Sequence, residues 1–119
     1  CIRDRCHTPR GFMGTARAGL YMAGTCEGPE GRLTPNITPD PRTGIGDWSG
    51  EELNRFLETG RRPDGSYTGR VMAEVLGTSC MRLTAYDRQS LATYLRSVPP
   101  VRHNLKALCA PFDESEFYD

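Results

Sequence analysis

Between residues 11 and 47 no hydrophobic period of a helix or a strand is sustained. The stretch is rich in Gly, Pro and Thr. The segment that closes it, PNITPDPRTGIGDW (35–48), carries three prolines and two glycines, the pattern of an ordered loop built from turns. A chain with this much loop has little regular structure from which to build a core. Only 37% of its 119 residues are hydrophobic, and 13 Gly with 9 Pro make up nearly a fifth of it. The length suits one compact domain. A small domain this poor in core is ordinarily held by disulfides, a metal or a large prosthetic group.

Three helices are expected, all beyond the loop. Ser49 followed by Glu52 has the spacing of a capping box, Leu53, Phe56 and Leu57 share one face, and Gly60 is a stop signal. VMAEVLG (71–77) suits a short helix. A third helix starts at Thr84, with Asp87 in the capping position and Leu91, Tyr94, Leu95 and Val98 as its apolar face. Pro99 and Pro100 end it. No stretch alternates as a strand does, so the class is all-α, with few short helices and long loops. The acidic tail DESEFYD, with its two aromatics, reads as a frayed end or as a docking segment.

Charge excludes some functions. Fifteen basic and fifteen acidic residues cancel, which gives no electrostatic footprint for nucleic acid. No apolar run approaches the roughly 20 residues of a membrane span, and no secretory leader is visible. The cofactor question turns on the cysteines: Cys1, Cys6, Cys26, Cys80 and Cys109. Cys6 directly precedes His7, as in the haem-attachment motif C-x-x-C-H. In that motif thiols add across the haem vinyl groups and the adjacent imidazole ligates the iron. The spacing departs from the motif, because Arg3 stands where the first cysteine belongs and Cys1 gives C-x4-C-H. Either both thiols bond a haem or Cys6 does so alone. By itself the pair also suits a disulfide or a zinc site.

The surrounding motifs favour haem. CHTPRG (6–11), PNITPDPRTGIGDWS (35–49), RRPDG (61–65), VMAEV (71–75) and LTAYDRQSLATYLRSVPPV (83–101) occur in an order and spacing that resemble a bacterial family of small periplasmic cytochromes c. The resemblance covers roughly residues 6–101. It implies a cytochrome c-like fold wrapped around one covalent haem c, with His7 and Met72 as axial ligands and Met81 as the competitor for the distal place. It implies that the Pro35 carbonyl accepts the proton of the other His7 ring nitrogen. It also implies that Arg10 and Trp48 donate to a haem propionate. Ile37, Ile45, Leu53, Leu57 and Leu91 are candidates for the haem wall. The implied function is single-electron transfer as a haem subunit or partner of a periplasmic dehydrogenase or another oxidoreductase. The resemblance thus implies an electron carrier that is not itself an enzyme, periplasmic or otherwise extracytoplasmic, with redox proteins and no nucleic acid as its partners.

Cytochromes of this kind begin with a helix ahead of the attachment motif; none stands ahead of Cys1 in this sequence, so that helix is expected to be absent, truncated or left out with upstream residues, and the face of the 84–98 helix awaits a cover. NLKALCAPF (104–112) is the internal candidate. The domain is expected over 1–103, with 104–119 as an extension. Cys109 has Cys26 and Cys80 as equal candidates for a bridge, and spacing does not choose. Cys1 also suits lipid modification, and His103 reads as a surface side chain. The competing functions are a peroxidase or ligand sensor with a displaceable Met72, and a binding module stapled by cysteines without haem.

Overall fold

A computed structural model describes residues 4–109. The helices are α1 (Asp4–His7), α2 (Gly50–Thr59), α3 (Arg70–Thr78), α4 (Ala85–Ser97) and α5 (Leu105–Leu108), with single 3-10 turns at Phe12–Gly14, Pro29–Gly31 and Cys80–Arg82. Among the described residues there are only isolated antiparallel bridges, at Arg10–Ala16, Thr25–Thr34 and Arg61–Tyr67, and no strand of a sheet.

The three expected helices form, and for the local reasons expected. The Ser49 hydroxyl accepts from the Glu52 N–H at 3.1 Å, and the Glu52 carboxylate accepts from the Ser49 N–H at 2.8 Å. Two of the N–H groups that a helix start leaves unpaired are thereby satisfied. Gly60 ends α2 in the left-handed region at φ 79°, where its N–H reaches the Phe56 carbonyl. Thr84 caps α4 by accepting from the Asp87 N–H at 3.1 Å. The middle helix is one residue longer at each end than the apolar run, and Gly77 lies inside it.

Leu53 and Leu57 of α2, Leu76 of α3, and Ala92 and Leu95 of α4 meet Ile45 and Cys80 in one buried cluster. The face of α4 therefore runs through Ala92 and Leu95, with Val98 buried at its end. Tyr94, expected on that face, is 45% exposed, and its hydroxyl pairs with that of Tyr21 at 2.9 Å. The face of α4 that lacked an evident partner packs on α2. The expected absence or truncation of a helix ahead of Cys6, and the tail from 110 onward, lie outside the described residues.

The segment after α4 is tied to the loops. Cys109 is bridged to Cys26, which decides between the two expected pairings. The Cβ of any residue replacing Gly24 would lie 2.5 Å from Leu105 Cδ1. His103 is half-buried, not a surface side chain, and its Nδ1 lies 2.9 Å from the Ala23 carbonyl. That contact makes Nδ1 the protonated nitrogen. Residues 103–109 thus lie against the 22–26 loop.

Candidate functional site

Cys6 and His7 lie in α1, a single turn at the edge of the long loop region. Cys6 is a free thiol, half-buried. His7 is only 8% exposed. Its Nδ1 lies 2.9 Å from the Pro35 carbonyl. A carbonyl can only accept, so Nδ1 carries the proton and Nε2 keeps its lone pair. Burial pushes the His7 pKa below its ordinary value, against the opposing effect of the Pro35 bond. The ring is therefore a neutral imidazole with a fixed tautomer and Nε2 available as a donor. This is the arrangement that orients a metal-ligating histidine and raises its basicity.

Loops, not helices, hold that ring in place. The Gly24 N–H donates to the His7 carbonyl at 2.6 Å. Gly24 has φ +85°, and a Cβ there would lie 2.6 Å from the Thr34 carbonyl oxygen and 2.7 Å from the Asn36 nitrogen. Only glycine lets the 22–24 loop pass between the histidine and the 34–36 segment. Thr8 is fully buried and its hydroxyl accepts from the Met22 N–H at 3.0 Å. Met22, 1% exposed and with φ +62°, is held from the other side as its carbonyl accepts from the Ile37 N–H at 3.0 Å. These two bonds offset the cost of a left-handed non-glycine residue, of order 1–3 kcal/mol.

The second half of the site is the apolar cluster. Ile37, Trp48, Phe56, Met72 and Leu91 pack against its buried members. Trp48 meets Phe56 edge-on, with ring centroids 5.5 Å apart. Met72 stands one helical turn before Leu76, which is fully buried, so the two lie on the same face of α3. Met81 is 39% exposed and Met13 86%. The two halves are joined by a short run of chain: Pro35 holds the His7 ring, and Ile37, two residues on, reaches the cluster. Arg10 is exposed beside the Ala16 bridge, apart from these contacts. Cys1 lies outside the described residues.

The loop 36–46 contains functional scaffolding that sequence reasoning missed. Asn36, Thr38 and Asp40 are buried polar residues. The Asn36 amide donates to Thr43 Oγ1 at 3.1 Å and to the Val101 carbonyl at 2.9 Å, while its oxygen accepts from the Thr38 N–H at 2.9 Å and hydroxyl at 2.7 Å. The Val101 N–H donates to Thr38 Oγ1 at 3.1 Å and the His103 N–H to Thr43 Oγ1 at 3.0 Å. Asp40 accepts from the Thr43 hydroxyl and N–H, both at 2.7 Å, and pairs with Arg102 at 3.5 Å. The Thr43 hydroxyl bond leads in holding the Asp40 carboxyl below its usual value against the cost of burial, helped by the Thr43 N–H, Arg102 and the Arg42 N–H. Any side chain on Gly44 or Gly46 would run into the Thr38 or Pro39 carbonyl oxygen. A run of Asn, Thr and Asp between prolines was the available signal, because such residues bond to the backbone. This polar knot positions 35–37, and with it the His7 ring.

Among the described residues no group of three or more His, Cys, Asp or Glu comes together, so no zinc ligand set is present there. No helix among them is long and apolar enough to cross a membrane.

No protein-family model matches the chain. The fructose dehydrogenase cytochrome subunit of Gluconobacter japonicus is 40% identical over 94 residues, which are 79% of this chain and 19% of that relative. A diheme cytochrome c-type protein of Cereibacter sphaeroides is 38% identical over 97 residues, 81% of this chain and 31% of the relative. The cytochrome c subunit of a quinone alcohol dehydrogenase from Gluconobacter oxydans is 34% identical over 102 residues, 81% of this chain and 21% of the relative. The chain thus spans between about a fifth and a third of the length of these curated relatives. This shared sequence makes the chain a homologue of dehydrogenase-associated cytochrome c subunits and supports its assignment to the cytochrome c family in the broad sense.

Proposed function

We propose that this chain carries one covalently attached haem c and passes single electrons as a haem domain working with an extracytoplasmic dehydrogenase or related oxidoreductase. The observation that carries the reading is the pairing of a free thiol, Cys6, with the buried neutral imidazole of His7, whose Nε2 is left as a donor by the 2.9 Å contact from Nδ1 to Pro35. A thiol for a vinyl group and an oriented imidazole for iron form a donor set that fits haem. When bound, the haem supplies a one-electron Fe(III)/Fe(II) couple.

The chain's residues do the rest. His7 Nε2 would ligate the iron. Met72 would supply a soft thioether as the second protein ligand, a donor that favours the reduced metal and raises the potential. Its place on the buried face of α3 supports this, as does the exposure of its competitor Met81. With His7 and Met72 both held to the iron, the site would be that of a carrier. Ile37, Ile45, Leu53, Leu57 and Leu91 would exclude water from it, and Trp48 and Arg10 would donate to a propionate. The relatives' names supply the class of partner. The Cys26–Cys109 bridge supports a location outside the cytoplasm, where disulfides persist.

The test is the far-red charge-transfer band of a Met–Fe(III) bond in the oxidised holoprotein. The band is expected in the wild type and in Met81→Ala and is expected to vanish in Met72→Ala. A band that survives Met72→Ala overturns the ligand assignment.

A further inference from the structure

We infer that His103 is a positioning residue for the haem ligand, fastening to each other the two loops that hold His7. This rests on the proposed haem site and adds to it a residue from the far end of the chain. His7 is held at two points. Its carbonyl accepts from the Gly24 N–H at 2.6 Å, and its ring Nδ1 donates to the Pro35 carbonyl at 2.9 Å. Gly24 and Pro35 stand on different loops, so the ring keeps its orientation only while those loops keep their separation.

Residue 103 reaches both loops. Its side chain takes the first: Nδ1 donates to the Ala23 carbonyl at 2.9 Å. That carbonyl and the Gly24 N–H belong to one peptide unit, which is planar and moves as a rigid piece. The imidazole therefore holds one end of the peptide whose other end holds His7. Hydrogen bonds in such a chain polarise and strengthen one another. The backbone of residue 103 takes the second loop. Its N–H donates to Thr43 Oγ1 at 3.0 Å, which also accepts from the Asn36 amide at 3.1 Å. The Thr43 hydroxyl gives its own proton to Asp40 at 2.7 Å, so its donor and both acceptor places are used. Asn36 directly follows Pro35 and donates also to the Val101 carbonyl at 2.9 Å.

Cys109 fastens the same segment further on, at Cys26, whereas His103 bonds the peptide that bonds the ligand. Removing the imidazole leaves the 101–103 backbone on the 36–43 loop and releases the 23–24 peptide from it. His7 then shifts against Pro35, the Nδ1–H bond weakens and the imidazole becomes a less basic donor. A less basic donor favours the reduced metal, so the potential rises.

The test is redox titration of the holoprotein with NMR of its reduced state. In the unmutated protein the nitrogen shifts should show His103 protonated at Nδ1; a ring whose Nδ1 is bare overturns the inference without any substitution. His103→Leu is expected to raise the midpoint potential and to speed solvent exchange of the Gly24 amide about fivefold, the loss of one ordinary hydrogen bond. His103→Asn, whose amide donates from nearly the place of Nδ1, should return both toward the wild-type values. Cys26→Ser with Cys109→Ser is the control for a mere clasp and should lower stability with the midpoint unmoved. A His103→Leu midpoint equal to that of the wild type, or shifted no further than in the bridge variant, overturns the inference. A protein without covalent haem fails in a distinguishable way: there is no midpoint to titrate although the His103 tautomer is still read, and the haem reading itself is removed.

Discussion

Asn36 shows how much of the site rests on single side chains. Its amide makes four hydrogen bonds, to Thr38, Thr43 and Val101, from a position that is 4% exposed. Removing it strands buried partners, each at a cost of about 1–3 kcal/mol. Asn36→Ala is expected to lower the stability of the domain by about 3 kcal/mol in urea unfolding and to loosen the Pro35 contact with His7. A variant as stable as the wild type would mean the knot does not bear on the site. Asp40 adds a pH dependence whose sign follows from its environment. Its folded pKa is depressed, chiefly by the Thr43 hydroxyl. Its contribution is thus fully present above the unfolded value near 3.9 and is lost as pH falls through the lower folded value. Asp40→Asn should therefore be less stable than the wild type at neutral pH, and the gap should close on acidification below about pH 4. A gap of constant size would show that the carboxylate charge is not what holds the loop. Neither residue stood out in the sequence. Their partners Val101 and Arg102 lie some 60 residues away, and no local period encodes a bond of that range.

The helices were legible because their signals are local. Ser49 with Glu52, Gly60, and Thr84 with Asp87 each act within a turn of the residue they cap, and each does so in the structure. Ser49→Ala is expected to cost about 1 kcal/mol of stability, and Leu57→Ala, which hollows the cluster between α2 and α4, about 2–5 kcal/mol. Thermal or urea unfolding of both variants checks the order; a Ser49→Ala loss as large as that of Leu57→Ala would mean the cap does more than start a helix. The misreadings at this scale have a shared cause. Tyr94 has the spacing of the apolar face of α4, but its hydroxyl finds Tyr21 at the surface and the smaller Ala92 takes the buried place. Spacing fixes a stripe of a helix to within a residue or so, while side-chain volume and polar handles decide which of its members go inward. The segment 71–77 was legible as a helix, and the burial of Leu76 gives Met72 its direction, yet nothing local to α3 marks that methionine as a candidate ligand.

Over the whole molecule, long loops are made to behave as structure by links between distant parts. Cys26–Cys109 closes a loop with a sequence separation of 83. His103 and Leu105 hold the same stretch to residues 23–24. Cross-links of that span typically stabilise by about 2–4 kcal/mol through the unfolded chain. Cys26→Ser with Cys109→Ser should lower the unfolding free energy by that amount while leaving the haem attached; haem loss in this variant would place the bridge in the site itself. Which cysteine pairs with Cys109 was not legible, since spacing is silent on connectivity and only the fold brings the two Cα atoms to 5.4 Å. The haem reading came from motif order, and the structure adds the reason those motifs belong together: the 35–48 loop carries both the Pro35 carbonyl that orients His7 and the Ile37 and Trp48 side chains at the core. The most direct measurement is the intact mass of the protein, matured where haem is attached, taken in denaturant beside that of Cys6→Ala. The account predicts the polypeptide plus one haem for the wild type and the bare polypeptide for Cys6→Ala; a bare polypeptide in both would contradict it.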